Sequence, residues 1–458
     1  AAHAQVPSGR AGMVDGRTVV MERCDMQREI HIAGIGGVGM SALAQALLDQ
    51  GEKVSGSDRL LDAGDETGVL ACLAAQGVRL CRQDGTGITP QTERLVISSA
   101  IESDNPEVLR AQALEIPVVH RAAELARLTK GRRLIAVTGT SGKSTVTAIL
   151  GCLLEGAGFD PLVVNGAAVA GWSADGTRIG SVRKGAGEWM VIEADESDRS
   201  LMVFDPEHAI ITNASADHFG LDETLALFAS FRARVPGTVI DGRSADGGPA
   251  EAHTEGWGGS FQFEGVTYRV PMPGLHNIYN AWHAVCMARA LGAAPEQLAV
   301  ALATFGGVER RLQRVGRCGA ATVVDDYAHN PEKLAAAWTT LATAFPAGVC
   351  AVWRPHGYAP LRKMLERLAQ TFAAVCRPQD TLLLLPVYDA GGTADRSVGS
   401  DVLASLLREK GVKVLSIGGL GDAETIMRAQ ADAGGVLATL GARDPGLPRL
   451  AQRLAVSR

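Results

Sequence analysis

Lys143 and Ser144 close the run Gly139-Thr-Ser-Gly-Lys-Ser-Thr145, and together these residue types bind a nucleoside triphosphate. Backbone N–H groups of Gly139, Thr140, Ser141 and Gly142, with the positive end of a following helix, face an anion. Lys143 reaches the β- and γ-phosphates and the Ser144 hydroxyl sits on Mg²⁺. The common form G-x-x-x-x-G-K-[ST] needs glycine at position 137, where the chain has Val137. The loop is therefore a T-G-T-x-G-K-[ST] variant, which points to a particular group of ATP-using enzymes.

A second phosphate-type turn, Gly34-x-Gly36-x-x-Gly39, has the spacing of a dinucleotide fingerprint, and Asp58 stands 19 residues after Gly39, where a ribose-binding acid belongs. Alone this pattern suggests NAD. Two such turns in one chain fit two nucleotides better: ATP, and a nucleotide-diphosphate-linked substrate. Glu193-Ala-Asp-Glu-Ser-Asp198 ends an apolar run, and carboxylates at a strand's C-terminal end beside a phosphate loop are placed to hold Mg²⁺. Asn213 and the pair Asp217-His218 follow another apolar run; His218 divides evenly between a structural histidine and a ligand for a second metal beside the γ-phosphate. Asn277 and Asn280 open a helix, where capping is favoured over reading an adenine edge. Arg311, beside Arg310 at a junction, can reach a γ-phosphate on closure. In Asp325-Asp-Tyr-Ala-His-Asn-Pro331, Asp326 is placed to contact ribose, and Asp325 to pack or hydrogen-bond locally.

A chain of 458 residues is expected to divide into about three domains. Hydrophobic residues make up 46%, enough for buried interiors, and aromatics only 5%, which argues against base stacking on nucleic acid. A net charge of −6 opposes a nucleic-acid or anionic-membrane partner, so local groups must hold an anionic nucleotide. The eight cysteines are scattered without a C-x-x-C pair and read as thiols of a reducing cytosol. No apolar run reaches a membrane span.

Residues 1–28 read as a disordered extension. The block 29–128 alternates short strands with helices, as in a parallel sheet; its first helix is expected over Met40 to Leu48. The block 129–305 begins at the phosphate loop, with strands at Trp189 to Glu193 and Ala209 to Thr212. Its Gly/Ser/Asp-rich stretch from Asp241 to Ser260 reads as a loop or an abbreviated subregion. The block 306–458 alternates strands with amphipathic helices, including Pro331 to Ala344. Three α/β units in a row suit an enzyme that assembles its site between domains.

These segments together resemble the Mur ligases, the ATP-dependent amino-acid ligases of peptidoglycan precursor synthesis. The resemblance spans residues 29 to about 440 and is most specific in His31 to Ser41, Ser55 to Asp58, Ser98 to Ile101 with Asp104 to Glu107, and Glu193 to Asp198. It implies a Rossmann-like N-terminal domain, a central P-loop ATPase-type domain and a Rossmann-like C-terminal domain. It implies a cytoplasmic enzyme, a monomer or weak homo-oligomer, that joins L-alanine or another amino acid to a UDP-linked sugar carboxylate through an acyl phosphate. By the same resemblance Gly34, Gly36, Gly37, Gly39, Asp58, Ser98 and Ser99 hold the UDP substrate instead of NAD, and Gly139 to Thr145 bind ATP. Glu193 and His218 join Ser144 on Mg²⁺, Asn277 and Asn280 lie by the adenine, Arg311 near the phosphates and Asp326 at the ribose. Tyr327 and His329 face the amino acid, and His329 is the candidate base. The chain departs from the alanine-adding branch at Gly357 and Pro360, where arginines are usual, leaving Arg354 and Arg362 nearby. It departs again at Gly220, in place of an acid, and in a shorter stretch after His218. The competing readings are a paralogue with another amino acid or acceptor, a nucleotide-binding regulator without turnover, and, least favoured, an NAD oxidoreductase.

Overall fold

The computed structural model describes residues 28–62, 64, 68–173, 176–215, 219–243, 248–389 and 395–456, with the backbone alone at 12–14 and 17–19. Within the stretch read as an extension, Gly12–Val14 pairs antiparallel with Arg17–Val19.

The N-terminal block forms a five-stranded parallel sheet in the spatial order Arg79–Cys81, Val54–Ser57, Glu29–Ala33, Thr92–Ile97 and Val118–His120. Glu29–Ala33 is buried at all but its first residue, as a central strand covered on both faces must be. It feeds the turn at Gly34 and then the helix Val38–Asp49, which buries Met40, Leu43 and Leu47.

The central block is a six-stranded sheet in the order Val182–Arg183, Leu162–Val164, Trp189–Glu193, Arg133–Thr138, His208–Ile211 and Val239–Asp241; only the short Val182–Arg183 edge runs antiparallel. Val137 pairs with Glu193 and Thr138 with Ile211, so the phosphate loop, the acidic run and Thr212 leave the sheet at one edge. That edge is the C-terminal end of the strands, where open α/β sheets bind ligands.

Within the stretch 241–260, expected to be a loop or an abbreviated subregion, lie the strand Ala250–Glu255 and the start of Gly258–Phe263, and with Val266–Val270 beyond it they form a small antiparallel unit. Its composition is rich in turn formers, but Phe261 and Tyr268 stack with ring centroids 5.0 Å apart and bury against the helices Leu275–Ala290 and Pro295–Ala303. Packing of those two rings overrides weak local propensity.

The C-terminal block is a six-stranded sheet in the order Gln313–Cys318, Ala321–Asp326, Val436–Leu440, Val349–Trp353, Thr381–Leu384 and Val414–Ser416, antiparallel only at its first pair. The helix Pro331–Ala344 follows its second strand; Asn330 caps it by accepting from Lys333 N–H at 3.0 Å, and proline occupies its first turn. Trp338, Trp353 and Phe372 fill the interior. No helix among the described residues is long and apolar enough to cross a membrane, and the seven described cysteines are free thiols.

The blocks are tied together. Arg178 of the central block donates to both carboxylate oxygens of Asp49, at 2.8 and 2.5 Å, and Ile179 N–H donates to Gln45 Oε1. These bonds fasten the helix Val38–Asp49 to the central sheet.

Candidate active site

Two clefts meet at one carboxylate. A cleft of about 360 Å³ is lined by Gly37, Gly39, Ser98, Ser99, Arg121 and, across from them, Glu193 and Asp195. A second, of about 300 Å³, is lined by Thr140 to Thr145, Asn277, Asn280, Arg311, Asp326 and again Glu193. The sequence reading placed a UDP-linked substrate on the first set and ATP on the second. Gly37, Gly39, Ser98 and Ser99 line the first cleft, and Thr140 to Thr145, Asn277, Asn280, Arg311 and Asp326 line the second; Gly34, Gly36, Asp58 and Gly139 stand outside both linings.

The phosphate loop is built by close backbone approach. Gly142 is left-handed, with φ +86°, and is the N-cap of the helix Lys143–Gly156. A Cβ there would stand 2.6 Å from Asn280 Oδ1, and one at Gly139 (φ +132°) 2.1 Å from Thr212 Oγ1. Only glycine fits at either position. Thr212 Oγ1 and Asn213 Nδ2 donate to Ser141 C=O at 2.6 and 2.8 Å, and Ser141 N–H donates to Asn213 Oδ1 at 3.0 Å, so the strand end after His208–Ile211 holds the loop open.

Lys143 Nζ donates to Gly139 C=O at 2.8 Å and to Glu196 Oε2 at 2.6 Å, with Asp195 Oδ1 at 4.0 Å. Burial disfavours its charge, but the carboxylates of Glu196, Glu193 and Asp195 outweigh that and hold the ammonium above its ordinary pKa. At Glu196 burial prevails over Lys143 and lifts the carboxyl above the usual range. At Asp195 burial pushes upward, yet Lys143 and the Ser197 amide hold the carboxyl low. Sequence reasoning named the acidic run but not Glu196 as the lysine's partner.

Glu193 Oε2 accepts from Gly166 N–H at 2.8 Å, which fixes the carboxylate at the boundary of the clefts. Ser144 lines the same cleft as Glu193. One hydroxyl and one carboxylate fit Mg²⁺, a hard cation that takes few protein oxygens and shares its shell with substrate phosphates. Among the described residues no group of three or more His, Cys, Asp or Glu forms a fuller cage. His218 and Asp217 lie outside the described residues.

Asn277 and Asn280 do not cap the helix Leu275–Ala290, the role favoured from spacing alone: its N-cap is Gly274, without a side-chain cap bond. Asn277 Nδ2 donates to Pro273 C=O at 2.8 Å, and Asn280 Nδ2 to Asn277 Oδ1 at 3.2 Å. Both are buried within the helix's first turns on the nucleotide side. Asp326 accepts from Leu312 and Ala328 N–H, each at 2.7 Å, and so braces the backbone just after Arg311 and just after Tyr327. Burial, only partly offset by Arg311, pushes its carboxyl up to about 6. Arg310 is committed elsewhere, donating to Asp325 Oδ2 at 3.1 Å and to Gly441 C=O. The Arg311 guanidinium lies 5.6 Å from the Tyr327 ring centroid. His329 Nδ1 contacts Tyr327 C=O at 3.0 Å; a carbonyl only accepts, so Nδ1 carries a proton. The His329 ring meets Tyr327 and His356 edge-on, at 5.4 and 4.9 Å. Arg354 pairs with Asp444 at 2.6 Å and Arg362 with Asp395.

Beside the first cleft, Gly36 N–H and Leu60 N–H donate to the two oxygens of Asp58, at 2.8 and 3.0 Å, so Asp58 holds the glycine turn. Behind it His31, Ser55, Ser57 and Glu107 form a fully buried network: His31 contacts Ser55 Oγ at 2.8 Å and Glu107 Oε1 at 3.0 Å, and Ser57 Oγ donates to Glu107 Oε2 at 2.6 Å. Arg121 was missed from sequence. Its guanidinium lies over Gly39, where a Cβ would come within 3.2 Å of it, and it makes no hydrogen bond or ion pair to a described residue. A cation beside a helix N-terminus is a site for an anion.

Two family models match the chain: one described as Mur ligase family, catalytic domain, over residues 29–133, and one described as Mur ligase, glutamate ligase domain, over residues 310–443. A UDP-N-acetylmuramate–L-alanine ligase from Sinorhizobium fredii is 34% identical over 425 residues, covering 83% of this chain and 87% of that protein. One from Methylocella silvestris is 34% identical over 459 residues, covering 90% and 94%. Among solved structures, the UDP-N-acetylmuramate-alanine ligase of Thermotoga maritima shares the fold with a TM-score of 0.78 at 23% identity, covering 93% of this chain and 98% of that one. A murein peptide ligase from Psychrobacter arcticus does so with a TM-score of 0.67 at 20% identity, covering 93% and 98%.

Proposed function

The chain belongs to the Mur ligase family, and from that premise we propose that it joins L-alanine to the carboxylate of UDP-N-acetylmuramate at the expense of ATP. The observation that carries this reading is the shared wall: Glu193 lines both clefts, so an acid in the first meets a terminal phosphate in the second.

A carboxylate and an amine do not condense at useful rates, because an oxide is a poor leaving group. A carboxylate oxygen of the sugar attacks the γ-phosphorus, the bond to the β-phosphate oxygen breaks, and ADP leaves. Lys143 and Arg311 stabilise the charge spread over the transferring group. Ser144 and Glu193, with His218, would hold Mg²⁺, which supplies further charge neutralisation when bound. The amino nitrogen then attacks the acyl carbon, the bond to phosphate oxygen breaks, and phosphate leaves. The attacking amine must be unprotonated, and its reference pKa is about 7.7–8.0. His329 is our candidate for the base that takes the proton, and Tyr327 stands beside it. Gly34, Gly36, Gly37 and Gly39 with Ser98, Ser99 and Arg121 hold the UDP substrate, Asp58 keeping the turn in shape. Asn277, Asn280 and Asp326 hold the nucleoside of ATP, and Gly139 to Thr145 its phosphates.

Substrate labelled with ¹⁸O in its carboxylate tests the acyl phosphate. One labelled oxygen should appear in the released phosphate. Phosphate free of label would overturn the mechanism.

A further inference from the structure

Trp257 belongs by chain position to the central block, at the tip of the hairpin between Ala250–Glu255 and Gly258–Phe263. Half-buried, it packs instead against the core of the C-terminal block. Its ring centroid is 5.7 Å from that of Phe345, and the Arg314 guanidinium lies 4.6 Å over it. Both partners are informative by position. Phe345 is the C-cap of the helix Pro331–Ala344, whose opposite end supplies Glu332, Lys333, Ala336 and Ala337 to the nucleotide cleft. Arg314 lies on the strand that begins just after Arg311 and Leu312, which line the same cleft. A second touch lies midway along the helix: a Cβ on Gly274 would come within 3.0 Å of Thr340 Oγ1. Gly274 is the N-cap of the helix that carries Asn277 and Asn280.

From these contacts we infer that Trp257 is a positioning residue for the ligase reaction, a clasp from the central block that sets how the C-terminal wall of the nucleotide cleft meets the phosphate loop. The inference rests on the ligase reading above. Trp257 touches neither cleft; it acts through the helix Pro331–Ala344 and the strand Gln313–Cys318. The ring is suited to the task, since an aromatic face takes both an apolar partner and a guanidinium. When the clasp is lost, the C-terminal wall sits loosely, water reaches the acyl phosphate, and the C–O bond breaks to carboxylate and phosphate with no amide formed.

The test compares Trp257→Ala, Trp257→Phe and Arg314→Gln with the parent enzyme. The parent must first release ADP in proportion to amide; if it does not, the ligase reading fails, and amide hydrogen exchange over 331–345 without substrates still judges the clasp. The expected result is faster exchange over 331–345 in Trp257→Ala, a raised KM for ATP with the KM for the UDP substrate unchanged, and more than one ADP per amide. kcat should fall by up to roughly a hundredfold, as when reacting groups are slightly misplaced. Trp257→Phe should restore most of the coupling, and Arg314→Gln should show the same defects more mildly. A Trp257→Ala protein with parental exchange, or one with parental KM for ATP and one ADP per amide, overturns the inference. If Trp257→Ala does not fold, Arg314→Gln decides by the same readouts.

Discussion

Lys143 Nζ lies 2.6 Å from Glu196 Oε2, both side chains largely buried, so the lysine of the phosphate loop is held by an acid of its own chain. A γ-phosphate must compete with that carboxylate for the ammonium. Breaking a buried pair by removing one partner typically costs about 3–5 kcal/mol. Glu196→Ala should therefore lower the melting temperature of the nucleotide-free protein clearly, and Glu196→Gln less. A non-hydrolysable ATP analogue should then raise the melting temperature more in Glu196→Gln than in the parent, because a phosphate replaces the missing anion. Equal shifts in thermal melts would show that the pair does not oppose nucleotide.

Arg121 is the one arginine among the described residues that line the first cleft, over Gly39 and opposite Asp195. A hydrogen bond to a charged group is worth about 1.5–3 kcal/mol. Arg121→Ala should raise the KM for the UDP substrate by roughly ten- to a hundredfold and leave the KM for ATP within twofold or so. Arg121→Lys should recover only part, since an ammonium lacks the planar fork. Initial-rate kinetics varying each substrate in turn separates these outcomes; a defect confined to ATP would remove Arg121 from the substrate cleft.

His283 is buried on the helix Leu275–Ala290 beside Gly242, and neither ring nitrogen has a hydrogen-bond partner. Burial pulls its pKa from 6.5 down to about 4. The unfolded chain thus binds the proton first as pH falls, and stability is lost as pH drops through 6.5 toward 4. The loss approaches roughly 3 kcal/mol at about 1.36 kcal/mol per pKa unit. Asp326 works in the opposite sense: its carboxyl, raised to about 6, makes stability fall as pH rises from about 4 to 6. Urea denaturation of His283→Phe between pH 4 and 7 should show a flatter or inverted acid limb than the parent. An unchanged limb would place the acid sensitivity elsewhere.

The phosphate loop was legible because its chemistry is local: glycines, a lysine and a hydroxyl in fixed order between a strand and a helix. The three α/β sheets were legible from apolar periodicity, which parallel strands display strongly. Arg121 was not, since an arginine opening a helix carries no motif and gains meaning only from a glycine turn more than eighty positions away. Among the acids from Glu193 to Asp198, sequence cannot distinguish the one that faces Lys143; the geometry of the strand end selects Glu196. The hairpin of Trp257 is legible only as a loop or an abbreviated subregion, because Gly258, Gly259 and Ser260 suppress strand propensity, while Phe261 and Tyr268 recover it through packing.

The central claim is that the phosphate at residues 139–145 is handed to an acid in the neighbouring cleft. The direct measurement is ADP formation with UDP-N-acetylmuramate, with and without L-alanine and across a panel of other amino acids, alongside a Lys143→Ala variant. Steady-state ADP release that requires both the UDP substrate and L-alanine, and that falls by about a hundredfold or more in Lys143→Ala, is the predicted result. ADP release at the same rate without an amino acid, or undiminished in Lys143→Ala, would contradict it.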